Sequence, residues 1–341
     1  MADFTTIKNP GLHFNTKLYS GSNSSQSVTG VGFQPDWVWM KQRGGATDHK
    51  LADAVRGANK NITSNSTAAE TTHTYFTSFD SDGFTLDGNV SDYNKSGLTY
   101  VSWNWKAGGA GSSNNDGSIA STVSANTTAG FSIVSYAGNS AAGATVGHGL
   151  GSAPTWIIGK NRTDADSWFM YHGSLGGGST MSFNNSNAKD NNTAFWNNTS
   201  PSNTVFTLGN STDANETGKN YIAYCFAEKR GYSKFGSYTG NGSSNGPFVF
   251  CGFKPAFVIA RRTDSGSSWQ MYDNKRDVDN VVTHRLRIDL NNAEDTGNVD
   301  VDFLSNGWKL RNTGINQNGG AYIFMAFAEE PLVGDNPTTA R

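Results

Sequence analysis

The chain has 341 residues, a net charge of −2 at pH 7 and 16% charged residues, which is below the usual quarter or so. Its 40 glycines and many Asn, Ser and Thr residues indicate a neutral surface dense in turns. This balance lacks the basic footprint of nucleic-acid binding, and no apolar run approaches the length that membrane insertion needs.

Three stretches repeat one pattern, which begins with a Tyr and a Gly/Asn/Ser-rich turn and continues through a Pro, an aromatic residue and a β-branched run to a basic exit. They read KLYSGSNSSQSVTGVGFQPDWVWMKQR near Tyr19, VSYAGNSAAGATVGHGLGSAPTWIIGKNR near Tyr136 and GSYTGNGSSNGPFVFCGFKPAFVIARR near Tyr238. Pro35, Pro154 and Pro255 mark equivalent points in these stretches. Such self-similarity predicts three structural repeats.

In chain order, we assign residues 1–109 to repeat 1, residues 131–234 to repeat 2 and residues 235–331 to repeat 3. The repeats close on similar runs, TYVSWNW, NYIAYCF and AYIFMAF. Short runs rich in β-branched and aromatic residues alternate with turn residues, which predicts strands; only residues 51–61 have a helical period. We therefore predict an all-β fold of three tandem antiparallel β-sandwich units resembling jelly rolls.

Two segments lie outside the repeats. Residues 110–130 are rich in Gly, Ser and Asn and predict a flexible linker, with one short strand at residues 119–123. Residues 332–341 form a tail without a strand pattern. Because only a few residues separate repeats 2 and 3, we expect these two to abut rigidly and repeat 1 to be held more loosely.

Several long phrases in this chain resemble a repeat family of tailed-phage virion proteins. They are VGHGLGSAPTWIIGKNR from Val146, AYCFAEKRGYSKFGSYTGNGSSNGPFVFCGFKPAF from Ala223, DAVRGANKNITSNSTAAE from Asp53 and YVSWNWKAGG from Tyr100. Many members of that family come from marine bacteriophages and are described as tail fibres. The resemblance covers nearly the whole chain and implies a structural virion protein, exposed on the particle and in contact with the host surface. It carries no catalytic motif onto these positions.

Metal and cofactor sites are not indicated. The run DSDG at Asp80–Gly83 matches the start of a calcium loop but lacks its later ligands, and repeat 3 has an Asn-Gly pair at the same place, so we predict a hairpin turn. The six histidines show no metal-ligand spacing. Cys225 and Cys251 lie in apolar strand-like runs and predict buried free thiols.

Catalytic residues are not indicated either. The chain has no GxSxG motif. Among carboxylates that could serve glycoside hydrolysis, Glu228 and Glu329 recur at the ends of closing strands, which favours a structural role. An Asp-x-x-Arg spacing occurs twice, and it predicts a buried ion pair, with a ligand-binding pair as the alternative. These pairs are Asp53 with Arg56 and Asp273 with Arg276.

The nine tryptophans favour core packing, but an exposed ring over a sugar or in a subunit contact is the alternative. We take Trp39, Trp105 and Trp196 as the candidate surface-binding aromatics. With the resemblance above, the sequence predicts a non-enzymatic protein of the virion surface, made in the host cytoplasm, that contacts a host glycan or receptor as a tail-fibre-like component. A capsid decoration or head-fibre protein is the alternative, and a polysaccharide depolymerase is third.

Expected partners are other virion proteins, host surface polysaccharide and further copies of the chain. We expect a trimer first, because most homo-oligomers close with cyclic symmetry and three-fold symmetry is common in fibres. Many weak contacts on one particle would then add up to useful attachment.

Overall fold

The structure is a computed structural model and describes residues 5–335. Strands make up 41% and helices 3%, so the predicted all-β class is confirmed. Strand pairing in the three large sheets is antiparallel. Each large sheet packs one face against a small sheet of its own repeat, around a local hydrophobic cluster.

Repeat 1 follows a single 3₁₀ turn, Pro10–Leu12. Its strands are β1 (Phe14–Ser20), β2 (Gln26–Thr29), β3 (Trp37–Gln42), β4 (Lys50–Asp53), β5 (Lys60–Thr63), β6 (Thr71–Thr72), β7 (Phe76–Asp80), β8 (Gly83–Leu86) and β9 (Thr99–Trp105). The large sheet has the order β1-β9-β3-β4-β5-β6, and the small sheet has the order β2-β8-β7. The helical period over residues 51–61 is misleading, because Leu51 and Ile62 pair across β4 and β5 and both enter the core.

Repeat 2 begins earlier than predicted. Its elements are β10 (Ser112–Asn114), β11 (Ser121–Asn126), β12 (Phe131–Ala137), β13 (Thr145–Gly147), β14 (Trp156–Asn161), β15 (Phe169–His172), α1 (Thr193–Trp196), β16 (Val205–Thr207), α2 (Thr212–Asn215) and β17 (Asn220–Phe226). The large sheet has the order β10-β11-β12-β17-β14-β15, and β13 pairs with β16. The prediction of a flexible linker is therefore wrong, because β10 and β11 extend the sheet and Ile119 and Val123 join its core.

Repeat 3 contains the remaining strands. They are β18 (Ser233–Thr239), β19 (Phe248–Phe250), β20 (Phe253–Arg262), β21 (Gln270–Asp273), β22 (Leu286–Arg287), β23 (Val301–Leu304), β24 (Gly307–Leu310) and β25 (Ala321–Pro331). The large sheet has the order β18-β25-β20-β21-β22, and the small sheet has the order β19-β24-β23.

The strand register confirms the predicted equivalence of the three prolines. The aromatic residue two positions after each proline pairs with the last aromatic residue of the closing strand. The pairs are Trp37 with Trp105, Trp156 with Phe226, and Phe257 with Phe327, and all six side chains are buried. Pro255 lies inside β20 at a bulge, where a missing N–H is tolerated.

The inward faces of the three large sheets meet in one shared hydrophobic cluster. The ring centroid of Trp37 lies 5.7 Å from that of Phe131 in repeat 2. Phe257 of repeat 3 lies 5.4 Å from Phe14 of repeat 1. The repeats are therefore not independent units in series, and the expectation that repeat 1 is held loosely is wrong, since it supplies a third of this common core.

The seams between the repeats form a closed cycle, in which repeat 1 contacts repeat 3, repeat 3 contacts repeat 2 and repeat 2 contacts repeat 1. At each seam a ring N–H of the residue just before β4, β15 or β21 bonds a backbone carbonyl of the neighbouring repeat. The three bonds are His49 Nε2 to Arg287 O (3.1 Å), Trp269 Nε1 to Ser182 O (2.9 Å) and Trp168 Nε1 to Thr63 O (2.9 Å). His49 can donate here because its Nδ1 accepts the indole N–H of Trp39 at 3.0 Å. Equivalent contacts around the cycle give the body an approximate three-fold repetition.

Candidate functional site

The three predicted surface-binding tryptophans are not on the surface. Trp39 and Trp105 point inward from the central strands of repeat 1 into the shared core. Trp196 lies on α1 and packs between the layers of repeat 2, 5.5 Å from the ring of Phe169. Since all nine tryptophans are fully buried, binding through any of these rings is excluded and core packing accounts for them.

A polar cleft of about 640 Å³ opens on the outer side of repeat 3. Its size falls within the range of small-ligand sites. The lining side chains are amides, hydroxyls, one apolar residue and three arginines. They include Gln270, Arg285, Arg287, Asn298, Arg311 and Asn312.

The three arginines form ion pairs with carboxylates that are not among the lining residues. Arg285 Nη2 donates to Asp295 Oδ2 at 2.5 Å, and its Nη1 lies 3.3 Å from Asp300 Oδ2. Arg311 Nε lies 3.2 Å from Asp302 Oδ2. Burial raises the pKa of the Asp300 carboxyl, and the positive charge of Arg285 offsets this only in part. Arg287 and Arg311 are partly exposed at the cleft, whereas Arg285 is largely buried against Asp300.

Two buried groups in the cleft lack a hydrogen-bond partner among the described residues. The side chain of Gln270 is 7% exposed and its Oε1 is unbonded, and Arg285 is 8% exposed with an unbonded Nε. An unpaired buried acceptor or donor costs about 1–3 kcal/mol unless something fills the vacancy. Both atoms are closed off from solvent, so neither faces the open part of the cleft.

The same place in the other repeats is built differently, so the cleft is not a requirement of the fold. Gln270 pairs with Arg287 across β21 and β22, whereas Lys50 and Thr63 take these positions in repeat 1. In repeat 2 the position of Gln270 belongs to Phe169, which packs under α1. The arginines that line the opening in repeat 3 therefore have no counterpart at these register positions in repeats 1 and 2.

The sequence analysis missed these residues. Arg285 and Arg287 alternate in the run HRLRIDL, and alternation on a strand places both side chains on one face. That signal was available, but Gln270 and Arg311 reach the cleft only through the pairing of distant strands.

The recurring Asp-x-x-Arg pairs are buried ion pairs, as predicted. Asp53 and Arg56 are in contact with both side chains fully buried, and Arg276 Nε lies 2.5 Å from Asp273 Oδ2 in the same setting. Each aspartate also accepts a hydrogen bond from the closing strand of another repeat, because Tyr224 OH donates to Asp53 at 2.8 Å and Trp103 Nε1 donates to Asp273 at 3.0 Å. These ion pairs therefore help to link neighbouring repeats at two of the three seams.

The third seam has a neutral substitute for this ion pair. Its counterpart residues are His172 and Leu175, and Met325 takes the register position of Trp103. Burial lowers the pKa of His172 to about 4. A neutral imidazole therefore replaces a carboxylate at the seam where the closing-strand side chain, Met325, has no N–H or O–H to donate.

Because the pKa of His172 is lowered in the folded chain, we expect the protein to lose stability in acid. The unfolded chain binds more protons than the folded chain between pH 6.5 and pH 4, so the free energy of unfolding should fall as pH drops through this window. We expect His172 to account for about 3 kcal/mol of that loss. Denaturant unfolding between pH 4 and 7.5 should give a shallower slope for His172→Asn than for the unchanged chain. Equal slopes would contradict the assignment.

The remaining predicted residues have structural roles. Asp80 and Gly83 face each other across the β7–β8 turn, as expected for a hairpin. Cys225 and Cys251 are buried free thiols. Glu228 and Glu329 form ion pairs with Lys234 (2.8 Å) and Lys254 (2.7 Å). Among residues 5–335, no group of three His, Cys, Asp or Glu side chains is placed to hold a metal ion.

Within the described part of the chain, no helix is both long and apolar enough to span a membrane. Neither a curated protein nor a solved structure matches the sequence. One family model, Domain of unknown function (DUF7483), matches residues 9–331. Since this match covers nearly the whole chain, the protein belongs to the DUF7483 family.

Proposed function

We propose that the protein is a non-enzymatic structural component of a tailed-phage virion, of the tail-fibre kind, which contacts the host surface by binding an acidic glycan in the cleft of repeat 3. The observation that carries the proposal is the cleft of repeat 3, which is lined by three arginines together with amide and hydroxyl side chains. The resemblance to phage virion proteins supports the location.

The lining suits an acidic sugar. Planar guanidinium groups bind carboxylates through paired hydrogen bonds, and amide and hydroxyl groups bind sugar hydroxyls. Arg287 and Arg311 are partly exposed at the cleft, so their free N–H groups can reach a ligand carboxylate.

The cleft favours binding over hydrolysis. Glycoside hydrolases need two carboxyl groups on either side of the scissile bond. The residues lining this cleft include no carboxylate, and the nearby Asp295 and Asp300 are engaged by Arg285. Incubation with host polysaccharide should therefore release no reducing ends, and release would contradict the non-enzymatic part of the proposal.

Binding is tested by calorimetry with uronic-acid oligosaccharides and their carboxyl-reduced counterparts. We expect the acidic forms to bind, and Arg287→Ala or Arg311→Ala to weaken them about tenfold or more, since hydrogen bonds to charged groups contribute about 1.5–3 kcal/mol. Lys254→Ala is the matched control, because it removes the same charge elsewhere in repeat 3. Equal losses in all three variants, or equal binding of acidic and reduced sugars, would contradict the proposal.

A capsid decoration protein is the second candidate. It is favoured by two exposed phenylalanines on one strand of repeat 3, Phe248 and Phe250, which could pack against a neighbouring virion protein. Electron microscopy of particles labelled with an antibody to this protein separates the two roles, since a tail label supports attachment and a head label supports decoration.

A further inference from the structure

Within residues 5–335, no strand pairs with the outer edge of β18, the first strand of repeat 3, whereas the equivalent edge is covered in repeat 2. In repeat 2, β11 pairs antiparallel with β12 along its whole length. The equivalent strand in repeat 3, β18, is the last strand of its sheet. Open edges present unpaired backbone groups, and proteins normally cover them or protect them with charge.

A slot beside β18 corresponds to the place that β11 fills. In repeat 2, side-chain carbons of Val123 and Ala125 lie within 2.9 and 3.4 Å of the point where a Cβ on Gly149 would stand. Gly252 is the counterpart of Gly149, and both have positive φ, 80° and 68°. Next to Gly252 lies a cavity of about 300 Å³, which is bounded by β18, Phe250 and Leu332. The space that holds a strand in repeat 2 is thus open in repeat 3.

In repeat 1 a side chain lies over the turn that follows β2. Lys17 on β1 reaches over the turn, with Nζ 2.8 Å from the Cβ position of Gly30. The residue of repeat 3 at the register position of Lys17 is Gly236, which has no side chain to do this. Among the described residues, no side chain or strand fills the slot in repeat 3 as β11 does in repeat 2.

The rim of the slot is apolar in repeat 3 alone. Phe248 is 43% exposed and Phe250 is 60% exposed on β19. Their counterparts flanking the buried Val146 of β13 are Thr145 and Gly147, which the β10–β11 hairpin covers. Those flanking Val28 in repeat 1 are Ser27 and Thr29. Two exposed rings beside an open edge mark an interaction surface.

We propose that this slot binds an extended segment of a partner protein, which adds to β18 as an antiparallel strand and places small apolar side chains against Gly252 and Phe250. The arrangement of β11 on β12 is the template for the occupant, and β-strand addition is a common mode of peptide recognition. Glu228 Oε2 now accepts the N–H of Phe235 at 3.4 Å, at the register position where Ile133 pairs with Ser124 in repeat 2. The incoming strand takes over this N–H from the carboxylate.

The probe is a fluorescent peptide of residues 117–127, which includes β11 itself, added to the full chain and followed by anisotropy. Two further peptides carry N-methyl groups on alternate residues in opposite phases. Because only one edge of an added strand faces β18, one N-methylated peptide should lose binding and the other should keep it. Phe250→Thr, which installs the residue of repeat 1, should weaken binding about tenfold. Val278→Thr is the control, since Val278 is an exposed apolar residue elsewhere in repeat 3.

The outcomes separate the occupants. The proposal would be overturned by an absence of binding, or by equal effects of Phe250→Thr and Val278→Thr. Equal binding of both N-methylated peptides would also overturn it, because it would show apolar adsorption without strand pairing. Light scattering checks for self-association, and a dimer that Phe250→Thr dissociates would show that a second copy, rather than a separate partner, fills the slot.

Discussion

Replacing Asp53 with alanine is expected to lower the free energy of unfolding by about 3–5 kcal/mol, because it leaves a fully buried guanidinium without its counter-ion. Asp53 also accepts the hydroxyl of Tyr224 across the seam and the backbone N–H of Arg56 at 2.9 Å. Burial lowers the pKa of Arg56, and Asp53, Tyr224 and Glu70 together raise it above its usual value. Because a guanidinium is not deprotonated in proteins, Arg56 stays charged after the substitution, and the cost is measured by urea denaturation at pH 7.

The protein supplies its own control for this prediction. The third seam holds His172, Leu175 and Met325 where the seam of repeats 1 and 2 holds Asp53, Arg56 and Tyr224. The triple variant Asp53→His, Arg56→Leu, Tyr224→Met should recover much of the stability that Asp53→Ala loses, since no buried charge remains unpaired. A triple variant less stable than Asp53→Ala would show that the two kinds of seam are not interchangeable.

Trp156→Ala is expected to cost about 3–5 kcal/mol, and to lower the stability of the whole body rather than of repeat 2 alone. The ring lies 5.9 Å from Trp269 and 6.3 Å from Phe235, both in repeat 3, so its removal opens a cavity in the shared core. Thermal unfolding followed by calorimetry and near-ultraviolet circular dichroism should show one transition shifted to lower temperature.

The control for the core variant is Phe250→Ala, which removes an exposed ring of repeat 3 and should change stability by less than about 0.5 kcal/mol. Separate transitions in Trp156→Ala, with one repeat melting before the others, would contradict a common core. An unchanged melting temperature would contradict the burial of the ring.

The three repeats could be predicted from the sequence because the same residue types recur at equivalent positions in each of them. The Tyr of each first strand stacks on the Tyr that opens each closing strand, with ring centroids 4.7–5.2 Å apart. Each repeat also has a buried Asn six residues before the Tyr of its closing strand, which was not predicted. It bonds the backbone of the turn after the first strand in every repeat, as Asn94, Asn215 and Asn316.

The linker prediction for residues 110–130 was wrong because it was based on composition, whereas neighbouring strands hold this polar segment in the sheet. Residues 110–130 consist mainly of small polar residues, yet two apolar side chains, Ile119 and Val123, are enough to hold β11 against the core of repeat 2. The backbone hydrogen bonds that β11 makes with β12 do not depend on side-chain type, so no local pattern announces them.

By itself the sequence determined the all-β class, the three repeats, the equivalence of Pro35, Pro154 and Pro255, and the two Asp-x-x-Arg ion pairs, because these depend on local periodicity and spacing. Only the tertiary structure decided that the repeats share one core, and that their tryptophans are buried in it rather than exposed. It also decided that Gln270, Arg287 and Arg311 line one cleft. The physical reason is that alternation shows a strand has two faces, whereas what covers each face depends on sheets formed far away along the chain.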